Sequence, residues 1–153
     1  MLTFYCKDES STKNFGKKLG VLLNDGDVLC LDGDLGAGKT CLAKAIAISK
    51  GVDEKEVTSP TFTIMNVYQG KNIEIRHFDL YRINRAEELL DIGFSEYVGY
   101  TGISLIEWGS LFSEELPEEL LKIEIKNKDT GREITLVPFG QRYESICEKV
   151  QNC

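Results

Sequence analysis

Gly33-Asp34-Leu35-Gly36-Ala37-Gly38-Lys39-Thr40 is the stretch that decides the fold of this chain. It follows an apolar run, Val28-Leu29-Cys30-Leu31, and precedes a helix-favouring run from Lys39 to Lys50. The stretch therefore lies where a strand turns into a helix, and its spacing, Gly-x-x-x-x-Gly-Lys-Thr, is that of a phosphate-binding P-loop. We predict a nucleotide-binding site at this turn.

The chemistry of the loop follows from its residue types. Glycines at 33, 36 and 38 permit positive φ and let backbone N–H groups approach an anion, and the following helix directs its positive dipole end at the same place. Lys39 is predicted to reach the β- and γ-phosphates, and Thr40 to bind Mg²⁺. The predicted cofactor contacts of this stretch are Asp34, Leu35, Gly36, Ala37, Gly38, Lys39, Thr40 and Cys41.

Length and composition place the chain among ordinary globular proteins. Its 153 residues suit one domain, 1–153, with 42% hydrophobic and 28% charged residues. No apolar run has the length of a membrane span, and the first residues have neither the basic start nor the apolar core of an export signal. We expect a cytoplasmic protein.

Charge and cysteine content exclude other classes. A net charge of −7 is the wrong sign for a protein that grips nucleic acid by itself, so any nucleic acid is expected to be handled by a partner. The five cysteines are odd in number and include no Cys-x-x-Cys pair, which argues against a disulfide framework and against a zinc site.

Hydrophobic periodicity predicts an α/β fold with a mixed sheet, flanking helices and β-hairpins. Predicted helices begin at Ser10 or Ser11, run from Lys39 to Lys50 and from Arg85 to Ile92, and surround Tyr143 to Val150. Predicted strands cover residues 3–6, 28–31 and 102–106, the hairpin formed by 62–68 and 73–78, and the hairpin formed by 121–125 and 133–137.

Two acids follow apolar strand runs. Asp79 comes after Ile75 and Phe78, and Glu107 comes after Ile106. Because ligands bind at the carboxyl ends of strands in open α/β sheets, both acids are predicted to meet the P-loop and act there as catalytic residues and metal ligands. The alternative is a solvated acid at a strand end.

Four further residues have open interpretations. Ser59 and Thr61 bracket Pro60 and fit either a switch segment that senses the γ-phosphate or an ordinary turn into a strand. His77, the single histidine, fits a packed core imidazole better than a base. Trp108 fits either stacking near the nucleotide or plain core.

Other polar residues carry weaker signals. Arg82, Arg85 and Arg132 could reach phosphates, although arginines on loops are usually solvated. Asn127-Lys128-Asp129 does not have the spacing of a guanine-recognition motif, because no residue separates the lysine from the aspartate. Adenine is the predicted base.

Four motifs together resemble the bacterial TsaE (YjeE) P-loop ATPases. They are the stretch 33–40, Ser59-Pro60-Thr61-Phe62, His77-Phe78-Asp79-Leu80-Tyr81-Arg82 and Ile106-Glu107-Trp108, in this order. The similarity runs from the helix start at Ser11-Thr12 to the turn at Gly131-Arg132. Cys41 stands where the family commonly has a second threonine.

The resemblance implies a three-layer α/β P-loop fold and Mg²⁺-dependent ATP hydrolysis that is slow in the isolated protein. It also implies association with TsaD and TsaB, the subunits that transfer threonylcarbamoyl to adenosine 37 of tRNAs reading codons that begin with A. By position it assigns Lys39 and Thr40 to phosphate and metal, and Asp79 and Glu107 to metal and water. It assigns Thr61 to the switch segment. Trp108 would lie beside the nucleotide, with Thr12 and Arg132 as weaker contacts.

Two other functions remain open from the residues alone. A small-molecule kinase uses the same loop but needs an acceptor pocket and a lid, which residues 84–102 could contain. A non-catalytic, nucleotide-gated interaction module needs the loop without hydrolysis.

Overall fold

The structure is a computed structural model and describes residues 1–34, 36–60 and 63–151. The strands of these residues are β1 (Leu2–Cys6), β2 (Val28–Gly33), β3 (Met65–Gln69), β4 (Glu74–Asp79), β5 (Ile103–Glu107), β6 (Leu120–Asn127) and β7 (Arg132–Phe139). The helices are α1 (Glu9–Val21), α2 (Lys39–Ser49), α3 (Glu87–Asp91), α4 (Phe94–Tyr97) and α5 (Gln141–Gln151), with 3₁₀ segments at Glu54–Glu56 and Gly109–Glu115.

The described strands form one mixed sheet in the order β1-β7-β6-β2-β5-β4-β3. Strands β6, β2, β5 and β4 are mutually parallel, so their carboxyl ends share one edge of the sheet. Strands β3 and β7 pair antiparallel with β4 and β6, and β1 closes the far edge against β7. Both predicted hairpins and the predicted edge strand are therefore present.

Apolar side chains cover both faces of the sheet. On one face, Leu31, Leu105 and Ile123 pack under the helices α1, α2 and α5. On the other face, Phe78 and Ile106 pack against the segment that contains α3 and α4. The predicted three-layer α/β architecture is thereby confirmed.

Several predicted boundaries differ from those observed. The N-cap of α1 is Asp8 rather than Ser10 or Ser11, because the Asp8 carboxylate accepts a hydrogen bond of 2.8 Å from the Ser11 N–H. Strand β3 begins at Met65, later than the predicted start at Phe62, which lies outside the described residues. The single helix predicted over 85–92 is the shorter α3, and α4 and the 3₁₀ segment Gly109–Glu115 were not predicted.

No helix in the described part of the chain combines the length and the apolar character needed to cross a membrane.

Candidate functional site

The loop between β2 and α2 has a backbone that faces open space. Gly36 has φ +79° and no heavy atom lies within 4 Å of where its Cβ would be, and Gly38 has φ +105°. Gly38 is also the N-cap of α2, and as a glycine it makes no side-chain cap bond to this helix. The N-terminal end of α2 therefore faces the loop without an acceptor from its N-cap side chain, which is an arrangement that suits phosphate groups.

Gly33 does not take the positive φ that we predicted for it. It is the last residue of β2 and pairs with Ile125 of β6 in extended conformation. Glycine is needed there for space, because a Cβ would lie 2.6 Å from the carbonyl oxygen of Ile125.

Lys39 is held at the base of the loop. Its ammonium donates to the carbonyl oxygens of Gly33 at 2.5 Å and Asp34 at 3.3 Å, and lies 4.0 Å from the centroid of the Trp108 ring. Burial lowers the pKa of Lys39, while the nearby carboxylates of Glu107 and Asp79 oppose that shift. The chain thus keeps a buried cation next to two buried acids.

The two predicted acids meet at the loop. Asp79 and Glu107 are the last residues of β4 and β5 and are register partners, and they are 4% and 3% exposed. The Thr40 hydroxyl donates to Oε2 of Glu107 at 3.4 Å, and Oδ1 of Asp79 accepts from the Tyr81 N–H at 3.0 Å. The structure places Thr40, Asp79 and Glu107 together, and their chemical roles remain predictions.

A cavity of about 280 Å³ lies at this junction. A larger cavity of about 420 Å³, between β6 and the 3₁₀ segment Gly109–Glu115, contains no P-loop residue in its lining. The smaller cavity is the candidate site because its lining gathers the loop and both acids: Gly36, Gly38, Lys39, Thr40, Cys41, Ser59, Asp79, Glu107 and Trp108.

Trp108 turns the backbone sharply where β5 ends. Its φ of +61° is in the left-handed region, which L residues with large side chains rarely adopt. Its ring lies 5.0 Å from the ring of Tyr81 and covers the Lys39 ammonium. Such backbone strain clusters at functional sites, and here it turns an aromatic ring toward the cavity.

His77 is buried and directly joined to Glu107. It is 0% exposed, its Nε2 lies 2.5 Å from Oε2 of Glu107, and its Nδ1 lies 3.2 Å from the Tyr68 hydroxyl. Sequence reasoning missed Tyr68 entirely. Strand register is the signal that would have found it, since Tyr68 opposes Ile75 and points to the same face as His77, two residues further along β4.

Other predicted contacts lie outside the cavity. The Thr12 side chain is buried in α1, and its hydroxyl donates to the Asp8 carbonyl at 3.3 Å. The Arg132 guanidinium packs against Gly38, with Nη1 2.7 Å from where a Cβ would be. Ala37 is buried and Asp34 is exposed, and neither lines the cavity. Leu35 and Thr61 lie outside the described residues, so their predicted roles are untested.

The half-exposed Cys41 contributes to the cavity wall. This position agrees with the predicted contact between Cys41 and a nucleotide, and the contact stays a prediction. Burial raises the pKa of its thiol, and the nearby Arg132 opposes that shift.

In this three-layer fold a glycine-rich loop joins a strand to a helix, and two acids lie at the carboxyl edge of the mixed sheet. These features define the P-loop class of α/β proteins. A family model described as "Threonylcarbamoyl adenosine biosynthesis protein TsaE" matches residues 6–134. The chain belongs to the TsaE family.

Individual relatives agree with this assignment. A protein of Bacillus subtilis (strain 168) named "tRNA threonylcarbamoyladenosine biosynthesis protein TsaE" is 43% identical over 140 residues, covering 91% of this chain and 87% of the relative. A protein of the same name from Treponema pallidum (strain Nichols) is 42% identical, covering 85% and 96%. The crystal structure of Bacillus subtilis YdiB has a TM-score of 0.82 and 36% identity, covering 99% of this chain and 94% of that one.

Proposed function

We propose that this chain is a Mg²⁺-dependent ATPase that supports threonylcarbamoyl transfer to adenosine 37 of tRNAs reading codons that begin with A. The observation that carries the proposal is the meeting of Lys39, Thr40, Asp79 and Glu107 at one cavity. The family to which the chain belongs supplies the pathway.

The residues present fit a nucleotide with its magnesium ion. The open backbone at Gly36 and the uncapped start of α2 suit phosphate oxygens. Thr40, Glu107 and Asp79 offer the oxygen ligands that Mg²⁺ prefers. Two carboxylates and a hydroxyl suit Mg²⁺, which is commonly held by one or two carboxylates together with substrate phosphates and water.

Each side chain then has a defined task. Lys39 and the N–H groups of the loop would hold the β- and γ-phosphates, and Thr40, Glu107 and Asp79 would hold the metal. Asp79 and Glu107 orient the attacking water at the edge of the sheet. When bound, Mg²⁺ supplies neutralisation of the charge that develops on the phosphate oxygens. Trp108 covers the nucleotide from the side of Lys39 and Tyr81.

The partners we propose are TsaD and TsaB, with tRNA bound through the complex. The net charge of −7 supports this division of labour, because it disfavours direct binding of the tRNA backbone by this chain. The activity we propose is cytoplasmic and slow in the isolated protein, and its turnover drives or resets the transferase complex.

The test is ATPase activity of the full chain with and without purified TsaD, TsaB and tRNA. We expect hydrolysis to rise on their addition, and a complex to form that elutes earlier in gel filtration. A Lys39→Ala chain serves as the control for contaminating ATPases. Unchanged hydrolysis together with the absence of a complex would overturn the assignment to this pathway.

The two rival functions make different predictions. A kinase would yield a phosphorylated acceptor in stoichiometric amount. Residues 84–102, which could have contained a lid, pack Leu89 and Phe94 into the apolar cluster on the sheet face of Phe78 and Ile106. A pure interaction module would keep its partner function after Glu107→Gln had abolished hydrolysis. Measuring tRNA modification and ATP hydrolysis with the same variant separates the ATPase from the interaction module, and an assay for phosphorylated acceptor separates both from the kinase.

A further inference from the structure

A chain of hydrogen bonds, buried at Glu107 and His77 and partly buried at its far end, runs from Glu107 to the backbone of Thr58. Oε2 of Glu107 lies 2.5 Å from Nε2 of His77, and Nδ1 of His77 lies 3.2 Å from the Tyr68 hydroxyl. The Tyr68 hydroxyl in turn donates to the carbonyl oxygen of Thr58 at 2.7 Å. One end of the chain is an acid of the cavity, and the other end is the backbone next to Ser59, which also lines the cavity.

Strand register produces this alignment. Asn66 of β3 opposes His77 of β4, and His77 opposes Leu105 of β5. Tyr68, His77 and Glu107 therefore step diagonally across three neighbouring strands on the face under α2. They are 3%, 0% and 3% exposed, and buried polar groups of this kind are costly unless each finds a partner.

Counting protons shows that the bonds depend on one another. The Tyr68 hydroxyl has one proton, so while it donates to Thr58 its bond with His77 must be donated by Nδ1. If a neutral His77 instead donates from Nε2 to Glu107, then Nδ1 becomes an acceptor. Tyr68 must then turn its proton to His77, and the Thr58 carbonyl keeps only the longer bond of 3.3 Å from the Asn66 side-chain amide. In a neutral His77 the one ring proton therefore serves either Glu107 or Tyr68, so the bond at Glu107 and the bond from Tyr68 to Thr58 depend on each other.

A second connection joins the same segment to Asp79. The carbonyl oxygen of Ile64 accepts from the Asp79 N–H at 2.7 Å, and the Ile64 N–H donates to Pro60 at 2.6 Å. Ile64 has φ +69°, an unusual conformation for a β-branched residue. Residues flanking the Ser59-Pro60 turn are therefore tied to both acid-bearing strand ends.

We propose that His77 and Tyr68 are positioning residues that fix the carboxylate of Glu107 and couple its orientation to the backbone at Thr58 and Ser59. The proposal rests on the proposed function, because it gives the ATPase an internal link between its acid and the segment predicted to sense the γ-phosphate. Neither residue touches the nucleotide. Each acts through Glu107 or through the Thr58 carbonyl.

Tyr68→Phe is the first test, because it removes only the hydroxyl. We expect kcat for ATP to fall by about tenfold or more, in the range usual for residues that orient a metal ligand. The Kd of ATP without Mg²⁺, followed by the fluorescence of the single tryptophan, should change by less than about twofold.

Tyr143→Phe is the matched control. Tyr143 is also a buried tyrosine whose hydroxyl bonds to backbone, accepting from the Val28 N–H at 2.9 Å at the start of β2, away from the cavity. It should lower thermal stability without lowering kcat. Equal effects of the two variants on kcat would overturn the proposal.

Substitutions at His77 test the coupling. The side-chain amide of Gln can take the place of Nε2 and donate to Glu107, whereas that of Asn can take the place of Nδ1 and donate to Tyr68. Because kcat depends on the orientation of Glu107, His77→Gln should retain more of it than His77→Asn. Adding Tyr68→Phe to His77→Gln should cause little further loss, because the connection is already cut. Fully additive losses would contradict a connected chain.

Hydrogen exchange gives a readout that needs no hydrolysis. The Thr58 N–H donates to the Tyr68 hydroxyl at 3.3 Å, so Tyr68→Phe should speed exchange of this amide directly. The coupling is read from His77→Asn, in which the Thr58 amide should also exchange faster than in the wild-type chain, whereas Tyr143→Phe should leave it unchanged. Unchanged exchange of the Thr58 amide in His77→Asn would overturn the coupling even in an active enzyme. A wild-type chain without ATPase activity, but with the expected exchange pattern, would instead refute the proposed function and leave the coupling standing.

Discussion

The two halves of the sheet differ in how deeply some of their charged side chains are buried. In the site half, formed by β2, β5, β4 and β3 with the P-loop, Lys39, His77, Asp79 and Glu107 are all buried. In the edge half, formed by β6, β7 and β1, the side chains of Lys122 and Glu124 are 34% and 36% exposed and form an ion pair of 3.4 Å.

This difference in burial is not explained by stability. Solvent-exposed ion pairs contribute little to stability, and buried charges cost free energy unless they are well paired. Stability alone gives no reason to gather a lysine, a histidine and two acids beneath one loop. The proposed nucleotide binding and hydrolysis give that reason, so substitutions of the same type should have different consequences in the two halves.

The largest expected difference concerns lysine. Lys39→Ala should lower kcat/KM for ATP by about 100-fold or more, because it removes the cation that we propose binds the phosphates. Lys122→Ala removes a half-exposed lysine of the edge half and should leave kcat/KM within about twofold. Steady-state hydrolysis and calorimetric ATP titration measure both. Comparable losses in the two variants would mean that Lys39 has no special role.

The next difference concerns the acids. Glu107→Gln should lower kcat by about 100-fold while ATP still binds, because the amide cannot replace the carboxylate in the proposed contacts with metal and water. Glu124→Gln changes the same chemical group in the edge half and should have no effect on kcat. Single-turnover hydrolysis beside equilibrium binding distinguishes loss of chemistry from loss of affinity. Loss of ATP binding alone in Glu107→Gln would contradict the assigned role.

Packing should show a smaller difference. Leu105→Ala truncates a fully buried side chain of β5 and should lower the free energy of unfolding by about 2–5 kcal/mol. Val137→Ala truncates a half-buried side chain on the open face of β7 and should cost less than about 1 kcal/mol. Urea unfolding followed by circular dichroism gives both values. Similar costs would show that the open face is packed as tightly as the core.

The smallest expected effect is a pH dependence. Burial lowers the pKa of Lys39. As the pH rises, ATP affinity should therefore begin to fall at a lower pH than it would with a lysine of ordinary pKa. Between the two pKa values the unfolded chain binds more protons than the native chain, so Lys39 makes the unfolding free energy rise with pH there.

Loss of affinity in this pH window therefore cannot be attributed to Lys39-linked unfolding. ATP titrations across the alkaline range, with thermal unfolding at each pH, check this prediction. An affinity that persists to the ordinary lysine pKa would contradict it.

Sequence reasoning located the parts of the site that depend on local pattern. The P-loop, Asp79 and Glu107 could all be predicted, because each is marked by glycine spacing or by its place at the end of an apolar strand. The α/β class and both hairpins followed from periodicity for the same reason.

Features that depend on register or tertiary contact could not be predicted. The contact between His77 and Tyr68 requires knowing which residues face each other in β3 and β4. The packing of Arg132 against Gly38 requires knowing that β7 begins near the P-loop. The left-handed turn at Trp108 has no local sequence signal, because tryptophan rarely adopts it.

The distribution of thiols allows occupancy of the cavity to be measured by labelling one cysteine. Of the cysteines in the described residues, Cys6, Cys30 and Cys147 are buried, and burial raises the pKa of Cys30 to about 12. Cys41 alone among these is half-exposed, and it lines the cavity. After substitution of Cys153 by Ser, a small alkylating reagent would have one preferred target, and protection of Cys41 by a ligand would report occupancy of the cavity in cell extracts.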